Sequence, residues 1–392
     1  MHVTIVGGGF GGVKAALELL KLKDTTVTLI SDKSEFQYYP ALYGTATGYS
    51  HLQSWVPLAT LFENNPKIKI IQDTIVSIDP DRKILVGKNA SYDYETTIFA
   101  LGVITSYFGI KGLDEYSYSI KSKDEIKRFK QHIHNDMAKK HQLDKHYVIV
   151  GAGPTGVELA GALSAYLERL KKHYGIDERR KIHVDIVEAS PRVLSKMSES
   201  TSRKVAKRLE SLGVHIHAAK MVQSEDAQDI IVSGKPILSN TVIWTSGVTN
   251  HPFFKEHEHY FKLAPNGKVV VDEHMKAYKS VYVIGDNAAT PFTGLAQTAL
   301  HDALFVTENI KRKKHSLPPM KYKAIMPPVV VPVGKGWAVF EWKKIKLSGW
   351  PASLIRKVAD FMGYRDVLPI GQALGAWHAQ KIFEDESEFD QS

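Results

Sequence analysis

Two copies of one glycine spacing stand out among the residues able to do chemistry. Gly7, Gly9 and Gly12 fall in the register G-x-G-x-x-G within "VTIVGGGFGGVKAAL", and Gly151, Gly153 and Gly156 repeat it within "VIVGAGPTGVELAGAL". In such a turn the first glycine permits a tight reversal. The second lets the backbone approach a pyrophosphate, and the third lets helix and strand pack closely. The helix that follows offers free N–H groups and a partial positive charge to phosphate oxygens. Phe10, inside the first turn, is counted with these binding residues. An acid at the end of the next strand holds ribose hydroxyls. After the second turn that strand, "IHVDIVE", ends at Glu188, which favours a ribose 2′-hydroxyl over a 2′-phosphate and so NADH over NADPH; Arg192, four residues on, weakens that preference. After the first turn, "TVTLIS" ends at Ser31, and Asp32 follows one position later. Asp32 is either the ribose acceptor or an ordinary loop acid.

These residues need two strand–turn–helix–strand units to position them. "HVTIV" and "VKAALELLK" flank the first turn with strand and helix periodicity, and the second turn has the same context. Its helix and loop are longer than usual before Glu188, with "ERLKKHYGIDERRK" as the extension. A later apolar strand, "SVYVIGDNAAT", ends in Gly285 and Asp286, and in FAD enzymes with two dinucleotide domains such an Asp binds the ribityl chain. "TTIFALG", carrying Ala100 and Gly102, reads as the other returning strand. The order is therefore an FAD unit, an inserted NAD unit and the FAD unit resumed. Two cofactors account for two turns: FAD on the first and NADH on the second, with the protein setting distance and electrostatics. The expected division is 1–118 (FAD-binding, first part), 119–262 (NAD(H)-binding), 263–323 (FAD-binding, second part) and 324–392 (C-terminal segment).

Composition narrows the field. The chain has 392 residues and 43% hydrophobic content, enough for two or three domains. It has no cysteine, which removes disulfides, thiolate metal sites and thiol redox chemistry; no metal site is expected. The net charge of +9 is local: residues 311–357 hold twelve Lys/Arg and one acid, Glu341. No signal peptide is expected, and no run of about 18 apolar residues exists to span a bilayer. After short strands, Trp350, Leu354, Ile355, Val358, Phe361 and Met362 share one helical face, with Arg356, Lys357 and Asp360 on others. A second short helix is expected in "VLPIGQALGAWHAQKIF". An apolar face with basic neighbours describes an interfacial helix on an anionic leaflet, or an ordinary helix packed on its own protein. No nucleic-acid module accompanies the charge.

Several motifs together resemble the type II NADH dehydrogenases, the single-chain non-pumping NADH:quinone oxidoreductases, over nearly the whole chain. These are "FQYYPALYGTATG", the second glycine motif, "VIWTSGV" with Gly247, "VYVIGDNAA", "GLAQTALHDA" and "KLSGWPASLIRKVADFMGYRDVL". The resemblance implies an α/β fold of two Rossmann-like domains, the NAD domain inserted in the FAD domain, plus a small membrane-docking segment. It implies FAD and NADH as cofactors and a membrane quinone as acceptor. It also implies a peripheral, monotopic enzyme of the respiratory chain on the cytoplasmic face. "YYPALY", with Pro40, would wall the flavin from water. Ala296 and Gln297 begin the helix that faces flavin and quinone; its dipole would stabilise negative charge on the flavin, and the Gln297 amide would orient a quinone carbonyl. His301 stands where the family has glutamine, one turn beyond Gln297, and would supply a hydrogen bond or a proton. Glu158 matches a family glutamate implicated in the hydride or proton relay. The plainer alternatives are a surface amide, a packing histidine and a helix-start acid.

Ser31 and His301 are the two departures from the family pattern. Two other functions remain at this stage: a soluble NAD(P)H reductase of a small redox protein or oxygen, and an NADH-responsive flavoprotein whose role is to bind a partner. Disulfide and sulfide reductases are disfavoured because they use cysteines. A second copy of the chain is the alternative occupant of the C-terminal surface.

Overall fold

A computed structural model describes residues 1–139, 146–177 and 179–385. Two parallel sheets carry the two glycine turns. In the first, the central strand His2–Val6 pairs with Thr26–Ser31 on one side and Thr96–Phe99 on the other. Ile68–Gln72 extends one edge, and Val281–Val283 with the antiparallel strand Lys276–Tyr278 extends the other. The second repeats the inner order: Val214–Ala218, His183–Glu188, His146–Val150 and Thr241–Trp244, all parallel. The apolar strands before each turn are buried on both faces, as parallel strands covered by helices must be. Phe10–Leu19 and Pro154–His173 are the helices that follow the turns. Of the expected long extension of the second unit, residues 168–173 finish the helix and the described residues from 174 to 181 carry no helix or strand; its residue 178 lies outside the described residues, as do 140–145 and 386–392 of the expected domains.

The chain crosses between the units on two short strands, Val103–Thr105 and Val248–Asn250, which pair antiparallel. Phe253, Phe254 and Phe261 already pack in the first unit's core with Phe99. These three residues precede the expected boundary at 262 and pack on the first sheet.

The C-terminal segment forms a three-stranded antiparallel sheet (Val329–Pro332, Ala338–Trp342, Ile345–Gly349) and two helices, Trp350–Val367 and Ile370–Ala379. Val331 and Val339 of the sheet, with Val333 in the turn between them, join the second unit's core, whereas Tyr364 and Val367 of the first helix, with Leu368 just after it, join the first unit's core. The helix Trp350–Val367 is amphipathic in reverse. Its apolar stripe Trp350, Leu354, Val358 and Met362 is exposed (73, 55, 52 and 54%), while Arg356 and Asp360 are buried. Arg356 therefore belongs to the interior and not to the basic surface around the apolar face. No helix among the described residues is long and apolar enough to cross a membrane.

Candidate active site

Both turns are built from the same bonds. The Gly7 N–H donates to Ile30 O and the Gly151 N–H to Val187 O, both at 2.8 Å, tying each turn to the end of its second strand. Both glycines lie in the left-handed region, at φ +115° and +106°, where a side chain is strained. A methyl group on Gly12 would lie 1.9 Å from the Gly7 carbonyl oxygen, and one on Gly156 would lie 1.8 Å from that of Gly151. Around Gly9 and Gly153 nothing lies within 4 Å of the corresponding position. Each turn thus offers an open backbone cradle at a helix start, which fits a dinucleotide pyrophosphate.

The cradles differ in their surroundings. At the second, both Glu188 carboxylate oxygens accept backbone N–H bonds, from Ala152 and from Ser190, at 2.7 Å each. Arg192 donates to the carbonyls of Leu194, Ser195 and Met197, so its guanidinium holds the following loop. Gly247 packs against Ser106 and Phe108 at the crossing between the units, and its carbonyl accepts from Lys121 Nζ at 3.3 Å. At the first cradle, Ser31 is buried beside Gly8 and accepts from Lys33 N–H, while the Asp32 side chain is exposed. Phe10 is buried, with its ring against Phe36 and Tyr38.

The returning strands close the first cradle. The Ala100 N–H donates to Val6 O, and Gly102 is clamped by Asn287, which accepts from its N–H and donates to its carbonyl at 3.0 and 2.6 Å. Gly285 and Asp286 open the short turn that includes Asn287, and Asp286 Oδ1 accepts from Gly294 N–H at 2.6 Å. The helix Ala296–Lys314 starts just beyond, with Ala299 against Gly285. Gln297 is exposed and its amide makes no hydrogen bond among the described residues. His301, one turn on, is engaged by the following segment: its Nε2 meets Lys323 O at 2.9 Å and its ring lies against Tyr322.

Glu158 and Pro40, both site candidates from sequence, meet at Arg356, which the sequence placed only on the charged side of the C-terminal helix. Arg356 Nη1 donates to Glu158 Oε1 at 2.8 Å, Nη2 to Pro40 O at 2.7 Å, and Nε to both oxygens of Asp360 at 2.9 Å. One guanidinium faces two carboxylates, so the cluster carries one excess negative charge in a buried place. Burial pushes the Glu158 carboxyl up to about 7 against the pull of Arg356, with Asp360 adding to the push. Asp360 shares the single Nε–H between its two oxygens, and burial raises its carboxyl as well, again against the pull of Arg356. The spacing of Arg356 and Asp360, four apart on a helix, was the available signal for a pair.

The family model of the pyridine nucleotide-disulphide oxidoreductases matches residues 1–303. The chain belongs to that family. Having no cysteine, this member lacks the thiols that disulphide chemistry needs. Its relatives include the type II NADH:quinone oxidoreductases of Staphylococcus aureus, 25% identical over 95% of this chain and 97% of theirs. Their name agrees with the resemblance seen in the motifs. Among solved structures, the NDH2 of Plasmodium falciparum in complex with NADH is similar at a TM-score of 0.86, with 18% identity and 97% of each chain covered. The sulfide:quinone oxidoreductase of Aquifex aeolicus is similar at 0.77, with 19% identity over 97% of this chain and 91% of the other. These likenesses confirm the expected fold of two Rossmann-type units.

Proposed function

We propose that this protein is an FAD-dependent NADH:quinone oxidoreductase that works docked on the cytoplasmic face of a membrane without moving protons across it. The observation that carries the reading is the Arg356 node. A single buried guanidinium joins the helix of the second cradle, the Pro40 loop of the first unit and the helix whose apolar stripe faces outward.

FAD bound at the first cradle would supply a hydride acceptor for NADH and a two-electron donor for the quinone. The chain's residues bind, orient and handle protons around that chemistry. Gly7, Gly9 and Gly12 seat one dinucleotide and Gly151, Gly153 and Gly156 the other, with Glu188 set for the NADH ribose. Asp286 holds the ribityl chain, and the Tyr38–Pro40 loop, backed by Tyr364 stacked at 3.9 Å on Tyr38, excludes water. Glu158, poised near neutrality, gives or takes the proton that accompanies reduction of the acceptor. Gln297 presents a free amide to a quinone carbonyl. His301, with Nε2 committed to Lys323, holds the following segment in place. Trp350, Leu354, Val358 and Met362, with Ile370 and Leu374 exposed on the next helix, enter the lipid interface, and exposed lysines such as Lys357 meet anionic headgroups.

The test is NADH oxidation by the FAD-loaded protein in the presence of anionic liposomes, with and without a short-chain quinone. Fast turnover that requires quinone supports the proposal. Turnover indifferent to quinone moves the acceptor to oxygen or a redox protein and makes the apolar stripe a protein-binding surface, including one for a second copy of the chain.

A further inference from the structure

Asp302 lies next to His301 on the helix Ala296–Lys314 and is fully buried (0% exposed). It makes no salt bridge among the described residues, so its retention needs a reason: an unpaired buried acid is costly. Each of its oxygens accepts one hydrogen bond. Oδ2 takes the backbone N–H of Gly285 at 2.9 Å, and Oδ1 takes the hydroxyl of Tyr322 at 2.6 Å. Burial raises the carboxyl, opposed by these same two donors.

Both partners are informative. Gly285 has φ +66° and opens the turn that presents Asp286 and Asn287. Tyr322 belongs to the segment 316–328, which has no helix or strand of its own and runs back along the helix. That segment is stitched down at several points. Met320 exchanges two bonds with Asn309 and accepts from His274, the Tyr322 N–H donates to Glu273 O, and Lys323 O meets His301. The Tyr322–Asp302–Gly285 chain carries this hold through the helix to the turn.

We propose that Asp302 is a positioning residue of the flavin site, which locks the Gly285–Asp286 turn and makes the strap 316–328 part of the machinery that retains FAD. The proposal rests on the reading that this turn holds FAD. The role requires an acceptor for the Gly285 N–H and a hydrogen-bond partner for the Tyr322 hydroxyl rather than a negative charge, so an amide serves where a methyl does not.

The experiment measures FAD release from the purified holoprotein, followed as recovery of free-flavin fluorescence after dilution. Asp302→Ala is expected to release FAD at least about tenfold faster, since it strands a buried N–H. Asp302→Asn, which keeps an acceptor for Gly285 while the Tyr322 hydroxyl can accept from its amide, should return the rate to within about threefold of wild type. Tyr322→Phe should fall between them and should speed hydrogen exchange of the amides in 316–328. Leu170→Ala, a cavity in the second unit's core, controls for general destabilisation: it should lower the melting temperature without speeding release. If wild type binds no FAD, the reading of the turn fails. If wild type binds FAD and Asp302→Ala releases it at the wild-type rate, or Leu170→Ala releases it as fast as Asp302→Ala, the positioning role is overturned. Should Asp302→Ala fail to fold, unchanged release and unchanged strap exchange in Tyr322→Phe overturn it equally.

Discussion

Two positions beyond the last glycine of each turn, the two units carry opposite charges: Lys14 in the first and Glu158 in the second. Both reach the same C-terminal helix. Lys14 Nζ lies 4.0 Å from Asp366, which is 45% exposed, and also pairs with Glu18 at 3.0 Å. Glu158 meets Arg356 at 2.8 Å, with both side chains about nine-tenths buried. One backbone device is thus put to two uses. The wet pair contributes about 0–1 kcal/mol and pins a helix. Burial raises the Glu158 carboxyl to about 7 against the pull of Arg356, as the proposed proton transfer requires. The ends of the second strands differ in the same sense. Glu188 grips its turn through two backbone amides, while Ser31 leaves the first turn to be closed by the returning strands, Asn287 and Asp302.

The largest effects should come from the glycines that the turns share. Gly12→Ala has no room for its methyl and should abolish FAD retention. Gly156→Ala should keep FAD while NADH affinity falls by about a hundredfold or more; absorbance spectra and NADH titrations separate them, and loss of the same cofactor in both would erase the division of labour. Arg356→Leu, which strands Glu158 and Asp360, should cost about 3–5 kcal/mol in denaturant unfolding, against less than about 1 kcal/mol for Asp366→Asn. Equal losses would show that the two contacts are alike. Glu188→Ala should raise the KM for NADH about tenfold and narrow the NADH/NADPH ratio, whereas Ser31→Ala should change FAD affinity by no more than about threefold.

The smallest effect is in pH dependence. The folded protein keeps a proton on Glu158 that an ordinary carboxyl releases at 4.5. Its contribution to stability is full below about pH 4.5 and is lost as pH rises through about 7. Glu158→Gln, which cannot ionise, should flatten that part of the thermal stability profile and of the turnover profile, while Lys14→Gln should leave both slopes as in wild type. A wild-type slope retained in Glu158→Gln would remove Glu158 from proton handling.

Much of the fold was legible because its signals are local. Apolar strands, glycine turns and helical periodicity lie within runs of some twenty residues, and Gly285–Asp286 marked the returning strand. The Arg356 node was not legible. The helical pattern showed an apolar face and a charged face on Trp350–Val367, but periodicity cannot say which one meets protein. The charged face turned inward because Glu158 and the Pro40 carbonyl, 198 and 316 residues away, supply its partners. Asp302 was hidden for a related reason: its partners are 17 and 20 residues distant, and its neighbour His301 drew the functional assignment. Nor could local pattern show that Phe253, Phe254 and Phe261, which follow the second sheet in sequence, pack against the first.

The most direct test of the central claim is anaerobic mixing of the liposome-docked, FAD-loaded protein with NADH and then with quinone, following the visible absorbance of the flavin. The proposed reaction predicts that one equivalent of NADH bleaches the flavin band and that one equivalent of quinone restores it. A band that NADH does not bleach, or that stays bleached in the presence of quinone, would contradict it.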